Sequence, residues 1–315
     1  MLKYLSTLSN LPDSCKLPDP PMSTDDPLLK TGVIGLGAMG SGMAQNLYRH
    51  GALAAAWNRS RQRIETLSAE PGFPLVGQLT DLVKRSELII SCVSTDRDLL
   101  EVIDRISPEL TAGQVVLDSS TVSVETARKA AHRLASRGVG FIDGPVSGGR
   151  EGAHNGTLVM MAGGDEATLE RLRPTLACIS RSVTHMGPVG SGQATKAVNQ
   201  IMAAGINQAV TEALAFGQAQ GLDMARVIEV ISGGAAGNWF LAHRGASMLD
   251  GRFEPGFKLA LHHKDLEICR AMAQGKGVQS PLLEMTLADY RQLLEEGHGE
   301  EDISTLFRLK HRLYE

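Results

Sequence analysis

The feature that most constrains this chain is a glycine spacing set between two different periodicities. Thr31–Ile34 is short and apolar, as a buried strand is, and runs straight into G-x-G-x-x-G at Gly35, Gly37 and Gly40. From Met43 to His50 the pattern turns helical, and it closes at Gly51. Each glycine answers a steric demand. Gly35 permits the tight turn, Gly37 lets backbone approach a pyrophosphate, and Gly40 lets helix pack on strand. The helix start, reached through Ala38 and Met39, offers N–H groups and the positive end of its dipole to phosphates. The spacing alone fits any tight turn, but after a strand and before a helix it reads as a dinucleotide-binding fingerprint.

The next strand, Leu53–Trp57, ends in Asn58, Arg59 and Ser60. An NAD-selective site carries an acidic residue near this position to grip the ribose hydroxyls. None is present. Arg59 beside Ser60 suits a 2′-phosphate by charge and hydrogen bonding, so the expected cofactor is NADP, with NAD as the alternative. Arg61 and Arg63 either assist or form a solvated helix face.

Strands at Leu88–Val93, Gln114–Asp118 and Val139–Asp143 then alternate with helical patterns at Leu99–Ile106 and Val124–Arg137. Such alternation predicts an α/β fold with a Rossmann-type doubly wound parallel sheet. Ser94, Thr95, Ser120 and Thr121 fall at strand ends, where ligands bind in these sheets and where helix caps also stand. The loop from Asp143 to Ala153 holds Ser147 beside Gly148 and Gly149, able to present a hydroxyl and N–H groups to a carboxylate; a surface turn explains its glycines equally well. Further strands at 157–162 and 182–186 flank a helix at 166–177.

From Gln193 to about Gly221 the chain is free of proline, with apolar residues at helical spacing. One helix of about 25 residues, roughly 38 Å long, would form a spine between domains. Lys196, Asn199 and Gln200 stand at i, i+3 and i+4 and share a face. A lysine partly desolvated among alanines and glycines loses basicity and exchanges protons near neutral pH, whereas a solvated first-turn lysine does not. Beyond Gly221 every pattern is helical. The expected division is an extension at 1–30, a dinucleotide-binding domain at 31–188, an interdomain helix at 189–220 and an all-helical C-terminal domain at 221–315.

A net charge of −4 with 21 % charged residues carries no basic excess for nucleic acid and no polybasic run for a membrane surface. Polar side chains interrupt the long helix too often for a membrane span. Cys15, Cys92, Cys178 and Cys269 form no CxxC pair, which fits a reducing cytoplasm. Residues 1–30 are rich in proline and lack arginine, unlike a transit peptide; a loosely attached extension is expected, with Met22 as an alternative start. His262 and His263 beside Asp265 resemble metal ligands, but adjacent helical side chains point about 100° apart, so no metal is expected.

Five motifs stand in one order: G-L-G-x-M-G at 35–40, D-x-S-T at 118–121, D-x-P-V-S-G-G at 143–149, G-x-G-x-x-x-K-x-x-N at 190–199 and K-D-L at 264–266. Together they resemble the β-hydroxyacid dehydrogenase family, which includes 3-hydroxyisobutyrate dehydrogenase, tartronate semialdehyde reductase and glyoxylate/succinic semialdehyde reductase. The resemblance spans residues 31–315. It implies that Lys196 is the general acid/base, that Ser147, Gly148 and Gly149 hold a small carboxylate substrate, and that Asn199 orients the reacting oxygen. Thr121 would lie near the nicotinamide, and Lys264 would reach the site from the C-terminal domain. Homodimers and homotetramers are implied as well. Many relatives carry a second asparagine four residues after the lysine where this chain has Gln200, so either Asn199 or Gln200 faces the substrate. The segment 238–240 shapes substrate choice in relatives, though Trp239 also suits burial. Two rival readings are imine reduction on the same architecture and a non-catalytic dinucleotide-binding module.

Overall fold

The computed structural model of the protein describes residues 27–60 and 72–315. The extension before residue 27, with Cys15 and Met22, lies outside the described residues, as do Arg61 and Arg63. Strands β1 (Thr31–Ile34), β2 (Leu53–Trp57), β3 (Leu88–Ser91), β4 (Val115–Asp118) and β5 (Gly140–Asp143) pair in parallel in the order 2-1-3-4-5. They are short and apolar because both faces are covered. Alternation along the strands sends Val33, Ile90 and Leu117 into one core and Ile34, Ile89 and Val116 into the other.

Helices α1 (Gly40–Arg49), α2 (Leu79–Arg85), α3 (Asp96–Ile106) and α4 (Val124–Ala135) follow the first strands. Thr95 and Ser123 cap α3 and α4 through their hydroxyls. The sequence reading passes over α2, a single amphipathic stretch of two turns. It also treats the segment after Asp143 as loop, whereas the chain there forms β6 (Val146–Ser147) and a short helix α5 (Gly149–Asn155). The sheet is parallel through β5, and then β7 (Leu158–Gly164) joins antiparallel to both β5 and β6. After α6 (Glu166–Leu176), β8 (Ser180–Gly187) pairs parallel to β7 at the sheet edge.

Helix α7 (Ser191–Ala219) has 29 residues, about 44 Å at 1.5 Å each. Its first turn is held by the sheet. The buried Asp143 carboxylate accepts the N–H of Gly190 at 2.7 Å and of Gln193 at 2.9 Å. Glycine is required at 192, where a Cβ would stand 2.4 Å from the carbonyl oxygens of Asp143 and Met161.

Around α7 pack α8 (Met224–Ser232), α9 (Trp239–Leu249), α10 (Leu259–Gln274), α11 (Pro281–Glu295) and, after a 3-10 turn at Ile303–Leu306, α12 (Phe307–Arg312). Their core joins Leu214, Leu266, Leu287, Leu293 and Phe307. Two of the polar residues that interrupt α7 turn inward and find acceptors: Asn207 donates to the Tyr290 hydroxyl and to Ile303 O, and Gln208 to Asp289. Among the described residues, no helix is long and apolar enough to cross a membrane.

Replacing Asp143 by alanine leaves two buried helix-start N–H groups without their acceptor, which should cost about 2–4 kcal/mol. Urea unfolding measures this; a loss below 0.5 kcal/mol or so, the level of an ordinary surface change, would mean that the cap does not hold the helix.

Candidate functional site

At the first glycine of the motif, Gly35 has φ +94°, and a Cβ there would meet Cys92 O at 2.2 Å. A Cβ on Gly40 would stand 1.9 Å from Gly35 O, the tight packing of helix on turn that the spacing predicts. Met39 occupies the cap position of α1 without a side-chain cap, and the first turn holds no acidic residue. That positive end is therefore left to an outside anion, a fit for the pyrophosphate of a dinucleotide. Gly37 contributes its carbonyl, which accepts from the Ser41 hydroxyl and N–H, and Ala38 is exposed beside it.

At the end of β2, Asn58 accepts the Leu36 N–H at 2.9 Å and donates to Ser60 O at 3.0 Å, tying this turn to the glycine loop. Arg59 is not free. It pairs with Asp98 at 2.9 Å while remaining 75 % exposed, and Asp98 also accepts the Thr95 hydroxyl. Ser60 is exposed beside it.

The second cluster forms where α7 and α10 meet the ends of β4 and β6. Lys196 is only 7 % exposed, so the solvated-lysine alternative does not hold. Its Nζ donates to Val146 O at 3.0 Å, one residue before Ser147. Gly148 and Gly149 follow with φ +130° and +61°, and Gly149 faces Gly256 O from the C-terminal half. From α10, Lys264 donates to Thr121 O at 2.6 Å and pairs with Asp265 at 2.9 Å. The buried Gln200 donates to the other Asp265 oxygen at 2.7 Å, and Asn199, partly exposed, donates to Gln200 Oε1 at 2.8 Å. Asn199, Gln200, Asp265, Lys264 and Thr121 are thus joined by one run of polar contacts, with Lys196 on the carbonyl next to Ser147, while Asn58, Arg59 and Ser60 follow β2 at the far end of the strand order.

Burial makes the Lys196 amine less basic than usual. The Asp265 carboxylate opposes that shift and the Lys264 charge adds to it. Two residues here escape sequence reasoning. Gln193, one turn before Lys196, accepts the Val122 N–H and donates to Ser120 O; helical spacing from Lys196 could have found it. Asp265 is read in sequence beside the histidines and as the middle residue of K-D-L, with no role assigned to it. Those histidines separate: His262 is buried between the Tyr290 hydroxyl and Gln200 O, whereas His263 faces Glu267. Trp239 stacks on His243 and is 58 % exposed, so the burial alternative fails there.

Comparison with known proteins covers nearly all of the chain from residue 30 to residue 310. Residues 30–187 match the family described as the NAD binding domain of 6-phosphogluconate dehydrogenase. Residues 190–310 match the NAD-binding family of NADP-dependent 3-hydroxyisobutyrate dehydrogenase. The 2-hydroxy-3-oxopropionate reductase of Escherichia coli is 35% identical over 80% of this chain and 87% of its own length.

The chain belongs to the β-hydroxyacid dehydrogenase family.

Another relative within it, the NAD-dependent L-serine dehydrogenase of Pseudomonas aeruginosa, is 32% identical over 88% of this chain and 96% of its own. A solved structure of the Mycobacterium tuberculosis 3-hydroxyisobutyrate dehydrogenase with L-serine superposes with a TM-score of 0.81 at 27% identity, covering 90% of this chain and 99% of that one. As a β-hydroxyacid dehydrogenase, the protein is an oxidoreductase that uses a nicotinamide dinucleotide.

The lowered basicity of Lys196 has a consequence for stability. The folded chain binds fewer protons than the unfolded chain between the lowered pKa and the ordinary value of 10.5, so stability rises with pH across that window. Lys196→Met should therefore melt above wild type near neutral pH and lose that advantage as pH approaches the ordinary lysine value. Thermal unfolding at both ends checks this; an unchanged difference would mean that the amine is not desolvated.

Proposed function

We propose that the protein interconverts a small β-hydroxy acid and its semialdehyde or keto form, with NADP(H) preferred over NAD(H) and Lys196 as general acid/base. The observation that carries this reading is the buried Lys196 amine, 3.0 Å from the carbonyl of Val146 and hence adjacent to Ser147. The Ser147 hydroxyl and the N–H groups of Gly148 and Gly149 would hold the substrate carboxylate. A carboxylate so held would bring the carbon bearing oxygen toward Nζ. Bound nicotinamide dinucleotide supplies the hydride to the carbonyl carbon, or accepts it from the carbinol. Lys196, protonated, gives its proton to the carbonyl oxygen in reduction; neutral, it takes the hydroxyl proton in oxidation. Asn199 would orient that oxygen, and Thr121 and Lys264 would flank the nicotinamide.

In this reading 31–188 binds the dinucleotide through Gly35, Gly37, Ala38, Met39 and Gly40, with Asn58, Arg59 and Ser60 toward the adenosine. The stretch 189–220 is the spine, and 221–315 closes the site. The retained Lys196 weighs against imine reduction and against a silent binding module. An exposed apolar stripe on α7, Val198, Met202, Ile206 and Phe216, suits burial against a second copy, so a homodimer or homotetramer is expected.

The test is nicotinamide oxidation against glyoxylate, succinic semialdehyde, tartronate semialdehyde and methylmalonate semialdehyde. Lys196→Ala should lower kcat about a hundred- to ten-thousandfold. With a lysine acid, reduction slows as pH rises through the lowered pKa, and oxidation accelerates across the same range. Turnover that survives in the variant, or a silent wild type, would remove the assignment.

Cofactor preference has a separate test. Arg59→Ala should raise the KM for NADPH about tenfold, the worth of one hydrogen bond to a charged group, and leave that for NADH nearly unchanged. Equal effects on both cofactors would take Arg59 away from the 2′-phosphate.

A further inference from the structure

Gln200, four residues after Lys196, is almost completely buried, at 1 % exposure. Both ends of its amide are engaged. Oε1 accepts from Asn199 Nδ2 at 2.8 Å, and Nε2 donates to Asp265 Oδ2 at 2.7 Å. The opposite Asp265 oxygen holds Lys264, whose amine reaches Thr121 O across the cleft. Each end of the Gln200 amide holds a protein partner, and its burial keeps the remaining N–H and lone pair away from solvent. Asn199 keeps its own carbonyl oxygen and its second amide hydrogen outside these bonds, in an orientation that Gln200 dictates.

We propose that Gln200 is a positioning residue: it turns Asn199 toward the reacting oxygen and locks Asp265 toward Lys264, without touching substrate itself. This rests on the hydroxy-acid reading above for what Asn199 does, but the link itself is a property of the fold. The extra methylene of glutamine spans the gap to α10 that an asparagine at this position leaves open. The titratable groups around it are Asp265, which Nε2 contacts, His262, which meets its backbone carbonyl, Lys264 on the far Asp265 oxygen, and Lys196 one turn back on its own helix.

Gln200→Glu separates this role from general packing. Protonated, the new carboxyl still accepts from Asn199 and donates to Asp265. Ionised, it sets two buried carboxylates against each other. Burial and that like charge both raise its pKa, and the cations Lys196 and Lys264 oppose the rise. The variant should therefore keep kcat within about threefold at weakly acidic pH and lose it about tenfold or more as the carboxyl ionises, the scale of a misoriented catalytic group. KM for substrate should move less than kcat. Gln200→Asn, too short to span, and Gln200→Met, of similar length but without the amide, should show the lowered kcat at every pH.

The readout independent of turnover is the melting temperature of Gln200→Glu against pH, with 13C NMR titration of the introduced carboxyl. A raised carboxyl pKa means that the folded state binds the extra proton, so stability is lost as pH rises through the titration. A carboxyl that titrates like an exposed one, with no such step, overturns the link whether or not the enzyme is active. A raised titration beside a flat kcat profile, or a KM effect without a kcat effect, overturns the positioning role. If wild type turns over no hydroxy acid, the reaction assignment fails, and the titration still decides the link.

Discussion

The carboxylate of Asp143 has no exposed surface, yet it accepts two N–H groups from the first turn of a helix 29 residues long. Desolvation pushes its carboxyl up, to about 6, and the backbone donors from Gly190, Gln193 and Gly192 work against that rise. Near neutral pH the ionised cap therefore persists. Its effect is geometric before it is energetic. With the start of α7 fixed on the ends of β5 and β7, Gln193 meets Ser120 and Val122, and one turn later Lys196 points at Val146 rather than at water. The lysine's burial thus follows from where Asp143 holds the helix start.

Burial then sets the chemistry of the cleft. The nearest titratable neighbours on α10 are driven to their neutral forms, Cys269 pushed up to about 12 and His262 down to about 4, in both cases chiefly by desolvation. Asp265 is different, since Lys264 and Gln200 each satisfy one of its oxygens. A buried carboxylate so paired remains a source of negative potential for Lys196, while Lys264 supplies the opposing sign. The amine of Lys196 is thus held between a desolvation that disfavours its charge and a carboxylate that favours it, the balance a group needs if it is to give a proton in one direction and take it in the other.

What was legible in the sequence was local. The strands at 31–34, 88–91 and 115–118 announce themselves as short apolar runs, the turn by its glycine spacing, and the long helix by a period of 3.6 residues. The α/β class and the helical second half follow from their order. The antiparallel entry of β7 was not legible, because strand direction depends on which edge the chain returns to and not on any period. Helix α5 was hidden by the glycines at 148 and 149, which read as a turn. Within the site, Lys196 and the glycine-rich Ser147 turn could be nominated from residue type, but Asp265 and Gln200 could not be joined: 65 residues separate them, and only packing of α10 on α7 brings the carboxylate to the amide.

Arg59 shows the same limit with a different outcome. Its residue type and position were legible, but its partner was not, because Asp98 lies 39 residues further on at the start of another helix. A pair so exposed contributes only about 0–1 kcal/mol, whereas hydrogen bonds to a charged group contribute about 1.5–3. A 2′-phosphate at this turn would therefore displace the carboxylate from the guanidinium. It would not remove the carboxylate's charge, because Asp98 stays tethered to Thr95 and remains close. Such a phosphate would meet an arginine whose field is already partly cancelled, and a ribose hydroxyl would meet an acceptor that a lone arginine would not provide. Discrimination between the two dinucleotides at this turn is then a difference of two partly opposed terms, smaller than an unpaired arginine would produce.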